Sequence, residues 1–285
     1  MRYQFLRFPG GKMKALTLSY DDGIQADKKL IDIIDKYGIK CTFNINTSDF
    51  GNTSKPNKLQ PNEIKEYMLD RGHEIAVHGD CHMAPGIAYP THAIRDVLLC
   101  REKLEKEFGM IIRGMAYPDS GITRIFNNND RENIFSYLKN LGIAYARTLS
   151  GDNNSFMLPE NFLAWMPTAH HNNPNLISWA KSFTELNEEL YLTRRYPRLF
   201  YLWGHSYEFN NNDNWNVLEQ FCEIVAGKDD IWYATNIEIY EYVTAYNSLV
   251  MSADGRRVYN PTLTEIFFMR DDKNYSIKPG ETIVI

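Results

Sequence analysis

Ala15-Leu16-Thr17-Leu18-Ser19-Tyr20-Asp21-Asp22-Gly23 is the stretch on which the reading of this chain turns. A short run of strand-forming residues stops at two adjacent carboxylates and a glycine. Side chains alternate faces along a strand, so Asp21 and Asp22 cannot both point the same way unless the strand has ended. Two acids at a strand tip suit a site in which they do different jobs. A cation or a neighbouring like charge separates their pKa values, so that one can bind a metal while the other takes a proton. The competing reading is a polar loop that caps the next helix, Asp being a good N-cap.

Working outward, the spacing predicts an amphipathic helix from Ala26 to Tyr37, with Leu30, Ile33, Ile34 and Tyr37 on one face and Gly38 as its stop. Strands are expected at Ile39 to Ile45, Glu74 to Val77, Ile111 to Ala116, Ile143 to Thr148, Phe162 to Met166, Arg198 to Trp203 and Ile231 to Ala234. Helices are expected at Pro61 to Arg71, Thr91 to Phe108, Arg131 to Leu141, Asn175 to Tyr191, Trp215 to Ala226 and Ile237 to Asn247. Strands alternating with helices imply an α/β fold with a parallel sheet, and this many units favour a closed barrel over an open sheet. The organisation expected is a barrel over residues 1–247. A small β extension over 248–285, with Asp-Gly and Pro-Gly turns and no helix, packs on it.

The composition, 44% hydrophobic and 24% charged, is that of a soluble globular protein. A net charge of -5 argues against nucleic acid or an anionic membrane as the main partner. No run approaches the roughly 20 apolar residues of a membrane span. The N-terminal Met1 to Gly10 has no apolar h-region, so no signal peptide and a cytoplasmic location are expected. Cys41, Cys81, Cys100 and Cys222 lack paired spacing and read as reduced thiols. Aromatic content of 13% is high enough to line a sugar-binding cleft, although core packing accounts for most such residues.

On the expected barrel, Asp21 and Asp22 follow the first strand, His78 and His82 the third, Tyr117 to Gly121 the fourth and His205 the seventh. All lie at the carboxyl ends of strands, where barrel enzymes keep their sites. In His78-Gly79-Asp80-Cys81-His82, two imidazoles four apart on one helical turn would face the same side and grip one metal ion. With a carboxylate from another strand they leave positions open for water and substrate. Asp80 and Cys81 fall off that face, and His73 and His92 read as incidental. Gly204 is expected to let the backbone turn so that His205 leans over the rim.

These motifs, SYDDG, HGDCH, AYPDSG and LWGH in that order, resemble those of the NodB-type polysaccharide deacetylases, carbohydrate esterase family four, over about residues 13–245, and the fold this resemblance implies is an α/β, distorted (β/α) barrel of about seven parallel strands. The resemblance implies that Asp22, His78 and His82 bind one divalent metal ion, zinc first, with cobalt, nickel or manganese as alternatives. It implies Asp21 as the general base and His205 as the acid that protonates the leaving group. Its oxyanion donor, a backbone N–H just after the third motif's proline, maps to Asp119, and Tyr117, Trp165 and His170 complete the expected substrate positions. The substrate implied is an acetylated sugar or oligosaccharide, losing an N-acetyl or an O-acetyl group.

Two departures stand out. Where the family carries an Arg that tethers the base, this chain has Ala116, and Arg113 is out of register. No Asp near Trp165 can charge the acid histidine, which leaves His170, His171 or Glu208 to substitute. Two alternatives therefore stand beside a deacetylase: a carbohydrate-binding protein on a weakly active scaffold, and a hydrolase of a C–N bond in a small metabolite. The sequence leaves the oligomeric state open.

Overall fold

The structure, a computed structural model, describes residues 3–149, 152–187, 189 and 195–285. Strand β1 (Gln4–Arg7) precedes β2 (Lys14–Asp21), followed by α1 (Ala26–Ile34), β3 (Cys41–Ile45), α2 (Pro61–Ile64) and β4 (Glu74–Val77). Next come α3 (Pro90–Phe108), β5 (Gly114–Ala116), α4 (Arg131–Asn140), β6 (Tyr145–Arg147), β7 (Ala169–His170) and α5 (Leu176–Glu185). Then follow β8 (Arg198–Gly204), α6 (Ser206–Asn211), α7 (Trp215–Val225), β9 (Ile231–Tyr233) and α8 (Asn236–Asn247). Short strands finish the chain: β10 (Val250–Met251), β11 (Arg257–Tyr259), β12 (Ile266–Arg270), β13 (Lys273–Ile277) and β14 (Thr282–Val284). No helix among the described residues is long and apolar enough to cross a membrane.

The parallel strands lie in the order β6-β5-β4-β3-β2-β8-β7. One edge of β2 is shared: β9 pairs with Lys14 to Leu16 and β3 with Leu18 to Asp21. The sheet curls into a half-barrel, and the chain before β7 joins its two ends. Trp165 bridges Arg147 of β6, and four residues further on Ala169 pairs with Leu202 of β8. A regular strand over Phe162 to Met166 was expected; a 3₁₀ turn at Phe162–Ala164 followed by this single bridge stands there instead. Of the helix expected to end at Tyr191, Leu176–Glu185 is helical, while residues 188, 190 and 191 lie outside the described residues, as do Met1 and Arg2.

The period-two alternation sorts the strand residues into two environments. Leu16, Leu18, Tyr20, Cys41, Phe43, Ile45, Ile75, Val77, Met115, Phe200 and Leu202 face the helices and belong to the main apolar core. The opposite parity carries Thr17, Ser19, Asp21, Thr42, Asn44, Glu74, Tyr145, Arg147 and Tyr201, all buried, into the barrel interior. That interior is therefore polar and must satisfy its own hydrogen bonds. Near its floor Glu74 accepts hydrogen bonds from the Tyr145 hydroxyl (2.6 Å), the Thr42 hydroxyl (2.7 Å) and the Ile237 N–H (2.9 Å). Asn236, at the start of α8, accepts from Thr17 Oγ1 and donates to Tyr201.

Burial, working against its three hydrogen bonds, pushes the Glu74 carboxyl up from the ordinary 4.5 to about 7. The folded state thus prefers this carboxyl protonated more than the unfolded state does. Its contribution to stability is present below pH 4.5 and lost as pH rises through about 7, a change on the order of 3 kcal/mol. Glu74→Gln, locked neutral, is expected to flatten stability across that window in urea unfolding series. Identical pH slopes for the two proteins would refute this.

The tail forms two antiparallel sheets, β10-β11-β14 and β1-β12-β13. The second recruits β1 from the other end of the chain, pairing Gln4 to Arg7 with Arg270 to Phe267. Tyr242 of α8 ties it down, donating to Arg7 O (2.8 Å) and accepting from Phe267 N (2.9 Å).

Candidate active site

Strand β2 delivers Asp21 to the interior with its last regular residue. Asp22 then breaks the alternation, its φ of 85° turning its carboxylate onto the rim beside Asp21. Asp21 is 2% exposed and held on both oxygens: Asn44 Nδ2 donates to Oδ1 (2.8 Å) and Arg147 Nη2 to Oδ2 (2.5 Å). The imidazoles of His78 and His205 approach the same Oδ2, each with Nε2 at 3.8 Å. Burial raises the Asp21 pKa, but the Arg147 charge, His78 and His205 outweigh it and hold the carboxyl at about 2.

Arg147, from the strand beside Ala116, is the arginine that reaches Asp21. Ala116 and Arg147 are cross-strand partners in β5 and β6. The small alanine leaves the long guanidinium free to lie across β5 toward β2. The preceding pair follows the same rule: a Cβ on Gly114 would come 2.2 Å from the Tyr145 hydroxyl, which crosses β5 to reach Glu74. Trp203 backs the guanidinium, its ring centroid 4.3 Å from Arg147 Cζ.

His78 follows β4 with interior parity. Its Nδ1 lies 3.0 Å from Ala116 O, an acceptor only, so Nδ1 carries the proton and Nε2 presents a lone pair. That Nε2 is buried, has no hydrogen-bond partner among the described residues, and points between Asp21 Oδ2 (3.8 Å) and Asp22 Oδ1 (4.0 Å). Burial pushes His78 down to about 4, which keeps it neutral. His82 Nε2 lies 3.9 Å from Asp22 Oδ1. The ligand atoms of Asp22, His78 and His82 all fall within 4.8 Å of one another. A buried, unpartnered imidazole lone pair facing a carboxylate and a second imidazole fits a divalent cation. The two histidines do not share a helical turn, as their spacing suggested. Residues 78–82 form a loop in which Gly79 (φ 74°) and His82 (φ 60°) are left-handed, which folds the second ring back toward the first, at 4.8 Å between centroids.

His205 caps α6, and Glu208 lies one turn on. Its Nδ1 is 3.2 Å from Glu208 Oε1. Burial lowers the His205 pKa, but the bond to Glu208 and the charges of Asp21, Asp22 and Glu208 raise it above the ordinary value on balance. Of the three substitutes open from sequence, Glu208 is the one in contact. Gly204 has a different role from the expected turn: it lies within β8, and a Cβ there would meet His171 Nδ1 at 2.0 Å.

His170, His205 and Glu208 form a second cluster of metal-ligand type. The backbone N–H of Asn172 donates to His170 Nδ1 (3.1 Å), so the His170 proton sits on Nε2, the atom 3.3 Å from Glu208 Oε2. That nitrogen is a donor and not a ligand. The cluster is a hydrogen-bonded cradle for Glu208, which also meets His171 Nε2 at 2.9 Å and Asn172 Nδ2 at 2.8 Å. Burial opposes ionisation of Glu208, yet these imidazoles hold it well below the usual carboxylate range.

Two expected substrate positions are engaged elsewhere. Tyr117 has outward parity; its N–H donates to Arg147 O (3.0 Å) and its hydroxyl to Leu163 O (2.8 Å). Trp165, 1% exposed, packs edge-on against Tyr145, Phe162 and Tyr201 at the barrel seam. Asp119 is exposed and left-handed (φ 48°), and its N–H has no partner among the described residues. Arg147 escaped the sequence reading; its signal was a lone cation at interior parity in an otherwise apolar strand.

Residues 9–144 match the family model for polysaccharide deacetylase. Among solved structures, one assigned as a polysaccharide deacetylase from Mycobacterium smegmatis is 19% identical, with a TM-score of 0.57 over 85% of this chain and 94% of that one. Puue allantoinase is 12% identical, with a TM-score of 0.59 over 82% and 91%. A family 4 carbohydrate esterase from Streptomyces lividans, solved with acetate, is 11% identical, with a TM-score of 0.50 over 77% and 91%. At these identities the likenesses speak for the fold. A comparison with curated proteins gave no match. The match to the polysaccharide deacetylase model over residues 9–144 takes in Asp21, Asp22, His78 and His82, so the likeness reaches the acidic pair and both histidines of the site.

Proposed function

We propose that this protein is a metal-dependent hydrolase that removes acetyl groups, N-acetyl foremost, from a sugar or oligosaccharide. The observation that carries the reading is the arrangement around Asp21. One carboxylate is held ionised by Arg147, with the lone pair of His78 on one side and His205 on the other. Asp22, His78 and His82 would hold the ion, zinc foremost, which when bound acidifies water and polarises an acetyl carbonyl. Asp21, ionised across the neutral range, takes the water proton. His205, whose protonated form is favoured by Glu208 and the two aspartates against the cost of burial, gives a proton to the departing nitrogen or oxygen. The exposed N–H of Asp119 is the candidate donor to the developing oxyanion. The weakly active scaffold reading rested on a missing tether and a missing partner for the acid. The contacts of Arg147 with Asp21 and of Glu208 with His205 support the enzyme reading instead. Acetate release from N-acetylglucosamine oligomers and from acetylated xylan, with and without added zinc, tests the reading; no metal-dependent release from either would reject it.

His205 provides a sharper check. An amine leaves poorly without a proton, whereas an activated aryl alcohol leaves easily. His205→Ala is expected to lower N-deacetylation about 10²- to 10⁴-fold while sparing most aryl acetate cleavage. Equal losses on both substrates would show that His205 is not the leaving-group acid.

A further inference from the structure

We propose that Asp96, on α3 and outside every motif noted above, is a positioning residue that sets the place of His82 and so the metal affinity. This inference rests on Asp22, His78 and His82 being the metal site. The Asp96 side chain is buried (4% exposed) and aims its carboxylate into the loop after His78. Oδ1 accepts the Cys81 N–H at 2.6 Å and Oδ2 the Met83 N–H at 3.2 Å, the two amides that flank His82. The Asp96 carbonyl accepts the Asp80 N–H at 3.1 Å.

Two features make this carboxylate decisive. The first half of the loop has other supports: Asn46 Nδ2 donates to His78 O (2.5 Å), and Asp80 accepts from Thr47 (2.6 Å) and Lys103 (2.7 Å). His82 has none of these, and its own N–H and C=O make no hydrogen bond among the described residues. Its left-handed φ of 60° is a conformation that non-glycine residues hold only when their surroundings impose it. Between the loop and α3 opens a pocket of about 220 Å³, lined by Cys81, Met83, Arg95, Asp96 and Leu99 among others, and the Asp96 carboxylate crosses to the loop beside it. Gly79 fits the same account. It is left-handed (φ 74°), and a Cβ there would come 2.3 Å from Asp96 Oδ2, so the loop closes this tightly on the carboxylate only with glycine at that position.

The test is Co²⁺ affinity by chelator competition, together with the visible absorption of bound Co²⁺, on the full chain, with His78→Ala as control. Asp96→Asn exchanges one acceptor oxygen for an amide NH2, a donor facing a backbone N–H. It is expected to weaken Co²⁺ binding about 10- to 100-fold and to alter the cobalt spectrum. Asp96→Ala, which withdraws both acceptor oxygens without adding bulk, is expected to do at least as much. Wild-type affinity and spectrum in both Asp96 variants, with metal lost from His78→Ala, would overturn the role of Asp96 and leave the metal site standing. Undiminished binding by His78→Ala would overturn the metal site itself, and this inference with it.

Discussion

His78→Ala and His82→Ala proteins are expected to emerge from dialysis without stoichiometric metal and without metal-dependent acetate release. The physical reason is the count of ligands. Three side chains from two loops offer one atom each, and the buried His78 lone pair has no other partner among the described residues to replace a cation. Groups that merely orient metal ligands already account for 10- to 100-fold in affinity, so removal of a ligand must exceed that. The His78 variant should lose more than the His82 variant, because His78 is locked by Ala116 O in one tautomer while His82 is exposed and held only through its loop. Metal content by atomic emission decides the matter. Full occupancy in either variant would remove that histidine from the set.

Asp21→Asn is expected to separate binding from chemistry. The amide fits the pocket and keeps one oxygen, so the protein should fold and retain its metal, while activity falls about 10²- to 10⁴-fold with the loss of the base. Loss of metal together with activity would reverse the roles of Asp21 and Asp22. The geometry favours the stated order. Asp21 is enclosed by Asn44 and Arg147, whereas Asp22 lies on the rim within 4.0 Å of both His78 and His82. A carboxylate held at about 2 is a weak base by itself, and it suits a water already acidified elsewhere.

The sequence by itself determined the parts of this protein that depend on local chemistry. The apolar run ending at Asp21-Asp22, the order of the four motifs and the alternation of helices and strands were enough to place five ionisable side chains on one rim of a barrel-like sheet. Turn chemistry was legible too, as at Gly38, which is left-handed (φ 64°) after its helix. What the tertiary structure alone decided concerns partners far apart in the chain. Asp21 and Arg147 are 126 residues apart, and their contact depends on the register of β5 against β6, which sets a short alanine beside a long arginine. Asp96 meets the loop of His82 because α3 packs behind it, a placement no local pattern encodes. The same parity that sends Arg147 inward sends Tyr117 outward, since a strand gives alternate residues opposite faces and only the curled sheet defines which face is the interior.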